Sequence, residues 1–490
     1  MSVLYRTEEL RRIERDAERQ LPAGTLMDRA GRSAARWLDQ HAPARPASFL
    51  VLCGPGNNGG DGYVCARALR ELGHSCICWA PLPPTTDDAR AACAAWTGAG
   101  GESTPQLPLG VRIDVIVDAM FGIGLTRPLA GPYLQASQWA NESRIEVVSI
   151  DIPSGLEADS GTWVGDVAGV QARATVTFLG DKPGLHMSDG CDAAGSVHVD
   201  RLGVEPQESS GRLNGPDQFL AITKPRRRNS HKGQYGSVAV IGGDIGMIGA
   251  ALLAGRAALR LGAGRVYVCC LGDPDLRVDP LSPELMIRSV DRLPPVQAAV
   301  IGCGLGTSES ARRAVREALG QETPLVLDAD ALNLIAADDR LRQALAARGA
   351  PSVLTPHPVE AARLLADVPA IHVNSDRIAA AMLLAQQTHS AVVLKGAGSV
   401  IADRPADREA YWINPTGSPA LASAGTGDVL AGMMGALIAQ GFGVLTSALG
   451  AVWLHGRAGE AHGADAGLIA SEVPQLAARE LARLRGGSRN

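Results

Sequence analysis

Short apolar runs that break off into glycine-rich, acid-bearing loops constrain this chain more than any other feature. Ser48-Phe49-Leu50-Val51-Leu52-Cys53 is followed at once by Gly54-Pro55-Gly56-Asn57-Asn58-Gly59-Gly60-Asp61-Gly62, then by a helical pattern to about Leu72. Residues 113–118 end in Asp118 and lead into Phe121-Gly122-Ile123-Gly124-Leu125-Thr126-Arg127-Pro128. Residues 146–151 end in Asp151 and lead into Ile152-Pro153-Ser154-Gly155. Runs that are apolar throughout are buried on both faces, as parallel strands are when helices cover the sheet. Aromatic residues make up only 4% of the chain against 46% apolar, so Ala, Val, Leu and Ile must build the core. The expected fold class is α/β, with each domain in three layers.

The pattern occurs twice. Periodicity fades between about Gly203 and Asn229, where Pro206, Gly211, Gly215 and Pro225 punctuate the chain, and then restarts at Ser237-Val238-Ala239-Val240-Ile241. Two domains are expected, residues 1–210 and 229–490, with 211–228 as a linker. Arg226-Arg227-Arg228 reads as a solvated run beside that linker. A net charge of −5 gives no electrostatic case for nucleic acid or an anionic membrane as partner. No apolar run reaches spanning length, and the first residues are not a signal peptide. Nine cysteines without a C-x-x-C pair read as buried free thiols in a reducing compartment, so a soluble, cytoplasmic protein is expected.

In a parallel sheet the carboxyl ends of the strands share one edge, which should gather Asn58, Asp118, Asp151 and Ser154. Amide, carboxylate and hydroxyl oxygens suit a hard cation, and a spare carboxylate suits acid–base work. Gly54, Gly56 and Gly59 satisfy G-x-G-x-x-G, but the next strand ends in Cys78-Trp79-Ala80-Pro81 without the acid that a dinucleotide-binding dehydrogenase places on the ribose. Hydride transfer is therefore disfavoured. Lys182, after a later strand, reads as a surface lysine rather than a phosphate contact.

In the second half the same logic applies to Gly302-Cys303-Gly304-Leu305-Gly306, to residues 328–333, to Thr355-Pro356-His357-Pro358 and to Lys395-Gly396-Ala397-Gly398-Ser399. Ala424-Gly425-Thr426-Gly427-Asp428 opens an apolar helix, and its small residues let several N–H groups aim at one point. That is an anion hole made by Gly425, Thr426 and Gly427. Asp428, an acid placed beside it, is either a helix N-cap or a general base toward a hydroxyl next to a phosphate. No G-x-x-x-x-G-K-[ST] and no H-E-x-x-H is present, which excludes a P-loop kinase motif and a zincin motif.

Asn57-Asn58-Gly59-Gly60-Asp61-Gly62 with Asp151-Ile152-Pro153-Ser154-Gly155 resembles the epimerase module of bifunctional NAD(P)H-hydrate repair enzymes, a Rossmann-like domain. The resemblance implies binding of the hydrated cofactors NADHX and NADPHX at Asn57, Asn58, Gly59, Gly60 and Asp61, at Gly122, Ile123, Gly124, Leu125, Thr126, Arg127 and Pro128, and at Tyr133 and Asp151. It also implies a potassium ion near Asn58, Asp118 and Ser154, with Asp151 as the acid–base group. His231-Lys232-Gly233 and the second-half motifs resemble the ribokinase-like, ADP- or ATP-dependent NAD(P)H-hydrate dehydratase module. There the resemblance implies that Lys395, Gly396, Ala397, Gly398, Ser399 and Gly427 hold the adenine nucleotide with Mg2+. Ala250, Gly304, His357 and Asp428 would face the hydrated nicotinamide.

Cys303, Val359 and Ser418-Pro419-Ala420-Leu421 depart from the usual pattern of that module without removing an ionisable group. The implied reaction is repair: the first half interconverts R and S hydrates, and the second dehydrates the S form at the expense of ADP or ATP. Self-association is expected of relatives of either module. Two rival readings are a ribokinase-class small-molecule kinase with a regulatory first half, and a first half that only binds or scaffolds.

Overall fold

The computed structural model describes residues 2–108, 110–273, 275–365, 370–403 and 409–487. The chain divides into two compact units, Ser2–Gly211 and Arg212–Asn490. Residues 211–228 are not the featureless linker expected. They include a strand, Gly211–Leu213, and a short helix, Leu220–Thr223. Phe219 and Ile222 are buried in the core of the second unit. Frequent Pro and Gly had hidden elements too short to show a period.

The first unit is built on a seven-stranded sheet, all of whose neighbouring pairs are parallel. Its spatial order is Glu102–Thr104, Ser75–Trp79, Ser48–Cys53, Val115–Ala119, Glu146–Ile150, Ala174–Phe178 and Ser196–Asp200. Strand Ser48–Cys53 shows why three layers follow from the sequence. Phe49, Val51 and Cys53 enter one core cluster with the helices Thr25–His41 and Asn57–Glu71, whereas Leu50 and Leu52 enter another with helix Gly131–Glu142. Side chains alternate across a strand, so an unbroken apolar run feeds two cores. Chain order reverses at Ser48–Cys53, which pairs with Ser75–Trp79 on one side and Val115–Ala119 on the other. The crevice beyond the carboxyl ends of strands at such a switch point is where open α/β sheets bind ligands.

The second unit repeats the principle with different order. From Ala410–Ile413 the sheet passes through Val400–Asp403, Ala391–Leu394, Ser352–Leu354, Leu325–Leu327, Ala298–Ile301, Ser237–Gly242 and Arg265–Cys270 to Met286–Ile287. Pairing is parallel except around Val400–Asp403, which is antiparallel to both neighbours. That hairpin lies outside the strand pattern expected from the sequence. Val238, Val240, Val300 and Val326 pack with helices Ile248–Arg260, Thr426–Ala439 and Val444–Ala461. Their alternates Ala239, Ile241, Ile301 and Leu327 are buried on the opposite face. Both halves are thus α/β, as the sequence implies. Among the described residues no helix is long and apolar enough to cross a membrane. Among the described residues no disulfide joins any of the nine cysteines, but Cys191 is exposed, against the expectation of buried thiols.

Candidate active sites

The first unit holds a cavity of about 1060 Å³ at the carboxyl edge of its sheet. Asn57, Asn58, Asp61, the whole of Gly122-Ile123-Gly124-Leu125-Thr126-Arg127-Pro128, Tyr133 and Asp151 line it. Gly59 and Gly60 do not; they lie buried in the first turn of helix Asn57–Glu71, Gly59 against the loop before it and Gly60 against Met27 and Ala89. A Cβ on Gly59 would overlap the Gly54 backbone carbonyl, and one on Gly60 would come 2.6 Å from the Met27 methyl. Gly59 lets the helix start close enough to the end of the strand for Asn57 and Asn58 to reach the crevice. Gly59→Ala is expected to destabilise the first unit by at least ~1–3 kcal/mol, because a backbone carbonyl cannot swing aside as a side chain can. Urea unfolding of the full chain followed by Trp fluorescence checks this, and an unshifted first transition would contradict it.

Asp151 sits at φ 70°, a left-handed conformation uncommon outside glycine, although Asp tolerates it better than most. Its N–H donates to the Val176 carbonyl at 2.7 Å. One carboxylate oxygen is 2.9 Å from the Lys182 ammonium, and the other accepts the Ile123 N–H at 3.2 Å. The bend thus points the carboxylate into the cavity and holds it there. Lys182 is not at the surface: it is 1% exposed, lines the cavity, and also donates to the Thr177 hydroxyl and the Phe178 and Gly180 carbonyls. The expectation of a surface lysine fails because a partner exists. The Asp151 carboxylate compensates the burial that makes lone lysines rare inside proteins.

Around this pair stand two further acids on the cavity wall. Burial pushes the Asp61 carboxyl well above the usual carboxylate range, and the Asp151 and Glu14 charges push the same way. Glu14 is raised too, by burial and then by Glu18 and Asp151. Nothing in the sequence marked Glu14, which lies on an ordinary amphipathic helix, Thr7–Glu18.

Asp118 and Ser154 form a fully buried cluster beneath the cavity. The Asp118 carboxylate accepts from the Ser149 hydroxyl (2.9 Å), the Ser154 N–H (2.8 Å), the Ser154 hydroxyl (2.6 Å) and the Met120 N–H (3.2 Å). All four donors are neutral. Burial raises its pKa despite them. Asn58 is buried with both side-chain amide atoms lacking a hydrogen-bond partner. An orphaned amide oxygen and a buried carboxylate without a cation fit a monovalent ion bound by oxygen ligands.

In the second unit the motifs converge on the start of helix Thr426–Ala439. Gly425, at φ 89°, occupies the N-cap position, so Asp428 is not the cap and makes no capping hydrogen bond. The Asp428 carboxyl is raised to about 6, first by burial and then by the Asp328 charge, while a hydrogen bond from Cys303 and the Lys395 ammonium oppose the shift. The Cys303 thiol, fully buried and pushed well up by burial and by Asp428 and Asp328, stays protonated and donates. Ligand atoms of Cys303, Asp328 and Asp428 lie within 4.8 Å of one another.

Lys395 reaches Asp328 at 2.8 Å and Glu360 at 4.0 Å. Burial works against its charge, but Asp328 and Glu360 outweigh it and hold the ammonium above its ordinary value. A Cβ on Gly427 would stand 3.6 Å from the Lys395 ammonium, so the anion-hole turn and the lysine face each other. The rest of that loop is braced by Arg377, which donates to Ala397 O at 2.6 Å and Leu394 O at 3.2 Å. Ser399 donates to Gly396 O at 3.1 Å.

Ala250 and Gly304 are also neighbours: Gly304 has φ 57° and a Cβ there would lie 3.0 Å from that of Ala250. His357 caps helix Pro358–Leu364 through Nδ1, which accepts the Val359 and Glu360 N–H groups. Its Nε2 lies 3.4 Å from Glu360 Oε1. The ring joins the cluster through Glu360 and Lys395. His455 had no sequence signal. Half-buried in helix Val444–Ala461 and lowered to about 4 by desolvation, its neutral ring donates from Nε2 to the Thr426 carbonyl at 3.0 Å, steadying the turn that carries the hole.

Comparison with known proteins matches residues 238–483 to the family described as NAD(P)H-hydrate dehydratase, and residues 23–184 to the family described as YjeF-related protein N-terminus. A bifunctional NAD(P)H-hydrate repair enzyme of Escherichia coli is 37% identical over 475 residues, which cover 93% of this chain and 89% of its own. One of Coxiella burnetii is 37% identical over 500 residues, covering 96% and 98%. Among solved structures, an ADP/ATP-dependent NAD(P)H-hydrate dehydratase of Bacillus subtilis is 31% identical, covers 54% of this chain and 97% of its own, and has a TM-score of 0.47.

Proposed function

The chain belongs to the bifunctional NAD(P)H-hydrate repair enzymes, and from that premise we propose that each unit works through the acid–lysine pair at its sheet edge. The observation that carries this reading is that both units hold such a pair, with one partner fully buried, beside a glycine turn: Asp151–Lys182, and Asp328–Lys395 next to Asp428.

In the first unit, the substrate hydroxyl sits on a carbon beside the ring nitrogen. The Asp151–Lys182 pair gives a proton to that hydroxyl as the C–O bond breaks, and water leaves. Water then adds to either face and returns its proton to the pair, so R and S forms interconvert. Asp61, whose carboxyl desolvation and the nearby acids push upward, faces the same cavity. Asn58, with Asp118 and Ser154, would hold a potassium ion, which supplies the counter-charge that the buried Asp118 lacks. Potassium is expected to stabilise the first unit by about 2.7 kcal/mol at a hundredfold excess over its Kd, and Asp118→Asn to lose that gain. Thermal unfolding in potassium against lithium chloride tests this; equal stabilisation of both proteins would contradict it.

In the second unit, Asp428 accepts the proton of the hydroxyl as its oxygen takes a phosphoryl group from ADP or ATP. The N–H groups of Gly425 and Gly427 and the Lys395 ammonium would lie along the charge of that group, whereas the Thr426 N–H is turned back to the Ser423 carbonyl at 3.5 Å. Phosphate is a better leaving group than hydroxide, so the ester then eliminates with loss of a proton from the adjacent carbon, restoring the reduced nicotinamide. Asp328 and Asp330 would offer oxygens to Mg2+, which would neutralise nucleotide charge; Cys303, kept protonated, would be no ligand. A cytoplasmic setting and self-association complete the proposal.

The test is near-ultraviolet absorbance during repair of mixed R and S NADHX, with ADP and ATP in separate reactions containing Mg2+ and K+. Full recovery faster than spontaneous epimerisation supports both activities and identifies the donor. Recovery that stops at the S fraction would remove the epimerase assignment. Accumulation of a stable phosphorylated product without phosphate release would favour the kinase reading.

A further inference from the structure

The second unit contains another cavity, of about 480 Å³, which none of the residues discussed above as its site lines. It opens at the C-terminal end of helix Ile248–Arg260, while Ala250 stands at the other end, ten residues or ~15 Å away along the axis. Three arginines from three segments meet there: Arg226 from the stretch expected to be a linker, Arg260 at the end of its helix, and Arg485 in the last turn of helix Val473–Gly487.

The three do not form an ordinary solvated patch. The Arg226 guanidinium lies 3.6 Å over the Tyr235 ring and donates to Gly262 O and Gln440 Oε1, both at 2.6 Å. Arg485 Nε donates to Ile222 O at 3.1 Å. These bonds fix two guanidinium planes while leaving other N–H groups of each uncommitted. Burial lowers the pKa of both, and for Arg485 the neighbouring Arg226 charge adds to the shift. Among the described residues no carboxylate pairs with any of the three arginines. Two helix C-termini end nearby, but each contributes only about half an elementary negative charge against three full positive ones. A positive excess therefore remains in a partly dry cleft, where an unpaired charge is costly. Leu261, Leu481 and Ala482 supply an apolar wall.

We propose that this cavity is a phosphoanion site, binding a doubly charged phosphoryl group between Arg226, Arg260 and Arg485. Planar guanidinium forks match phosphate oxygens in pairs, and the apolar wall accommodates an organic remainder. The site stands apart from the repair chemistry, so it survives or fails independently of that reading.

Isothermal titration of the full-length protein with inorganic pyrophosphate and, separately, with phenyl phosphate tests it. Arg260→Ala, at the exposed rim, and Arg485→Ala are each expected to weaken binding of at least one probe by ~10-fold or more. The KM for the nucleotide in dehydration should stay unchanged in Arg260→Ala. Tighter binding of pyrophosphate identifies a free polyphosphate as the ligand type, and tighter phenyl phosphate an organic phosphate seated on Leu481. Absence of binding of either probe to the wild type, or unchanged affinities in both variants, would overturn the proposal.

Discussion

Asp428→Asn is expected to lower dehydration of the S hydrate by about 10²–10⁴-fold while leaving the fold and nucleotide binding in place. The substitution keeps the shape of the side chain and can still take the Cys303 hydrogen bond, but it cannot accept a proton at neutral pH. Because the Asp428 carboxyl is raised to about 6, the wild-type rate should also carry a signature in pH. The carboxylate form does the work, so kcat/KM for S-NADHX should be flat above about pH 7. It should fall about tenfold per unit once pH drops below about 6, as the proton returns. The Asn variant should show no such limb. Stopped assays of phosphate release from pH 5 to 8 measure both features. A variant with near-normal turnover, or one that keeps the acidic limb, would move the base elsewhere in the cluster, with Asp328 the next candidate.

The second large effect concerns Lys182. Lys182→Met removes the cation from a buried ion pair whose side chains are 1% and 16% exposed, and leaves Asp151 close to Asp61 and Glu14. Breaking such a pair from one side costs about 3–5 kcal/mol, because the remaining charge stays buried without compensation. Repair should split accordingly: S-NADHX is consumed at the wild-type rate, while the R epimer disappears only as fast as it epimerises in solution. Chiral chromatography of the remaining hydrate resolves the two. Since this variant risks unfolding its unit, Thr177→Val is the companion. It removes one neutral acceptor of the Lys182 ammonium, costs about 0.5–1.5 kcal/mol, and should slow epimerisation without abolishing it. A folded Lys182→Met protein that epimerises at the wild-type rate would refute the role given to the pair.

These two residues also show how far reading along the chain reaches. The place of Asp428 was legible because its setting is local: a glycine turn, a helix start and an acid lie within five residues, and their geometry follows from backbone rules. Lys182 was misread for the opposite reason. Its neighbours in sequence resemble those of any lysine after a strand, and its partner lies at the end of the neighbouring strand, some thirty residues earlier in the chain. Arg226 was misread in the same way. A run of three arginines says solvated surface, and only the approach of Tyr235, Arg260 and Arg485 makes it part of a cleft. Cys303 was noticed as a departure from pattern, yet its hydrogen bond to Asp428 joins two segments that the sequence keeps far apart.

By itself, the sequence determined the alternation of buried strands, glycine loops and helices. With it came two α/β sheets, the edge of each sheet where polar groups gather, and the motifs that mark those edges. It could do so because strand period, glycine turns and helix starts are properties of a few adjacent residues. The tertiary structure decided which of the gathered groups touch, which are dry, and therefore which are charged. Asp428 near 6, the buried Asp151–Lys182 pair, the orphaned Asn58 amide and the three-arginine cleft all arise this way. Burial and Coulomb interaction depend on distance in space, which the chain sets only when it has closed on itself.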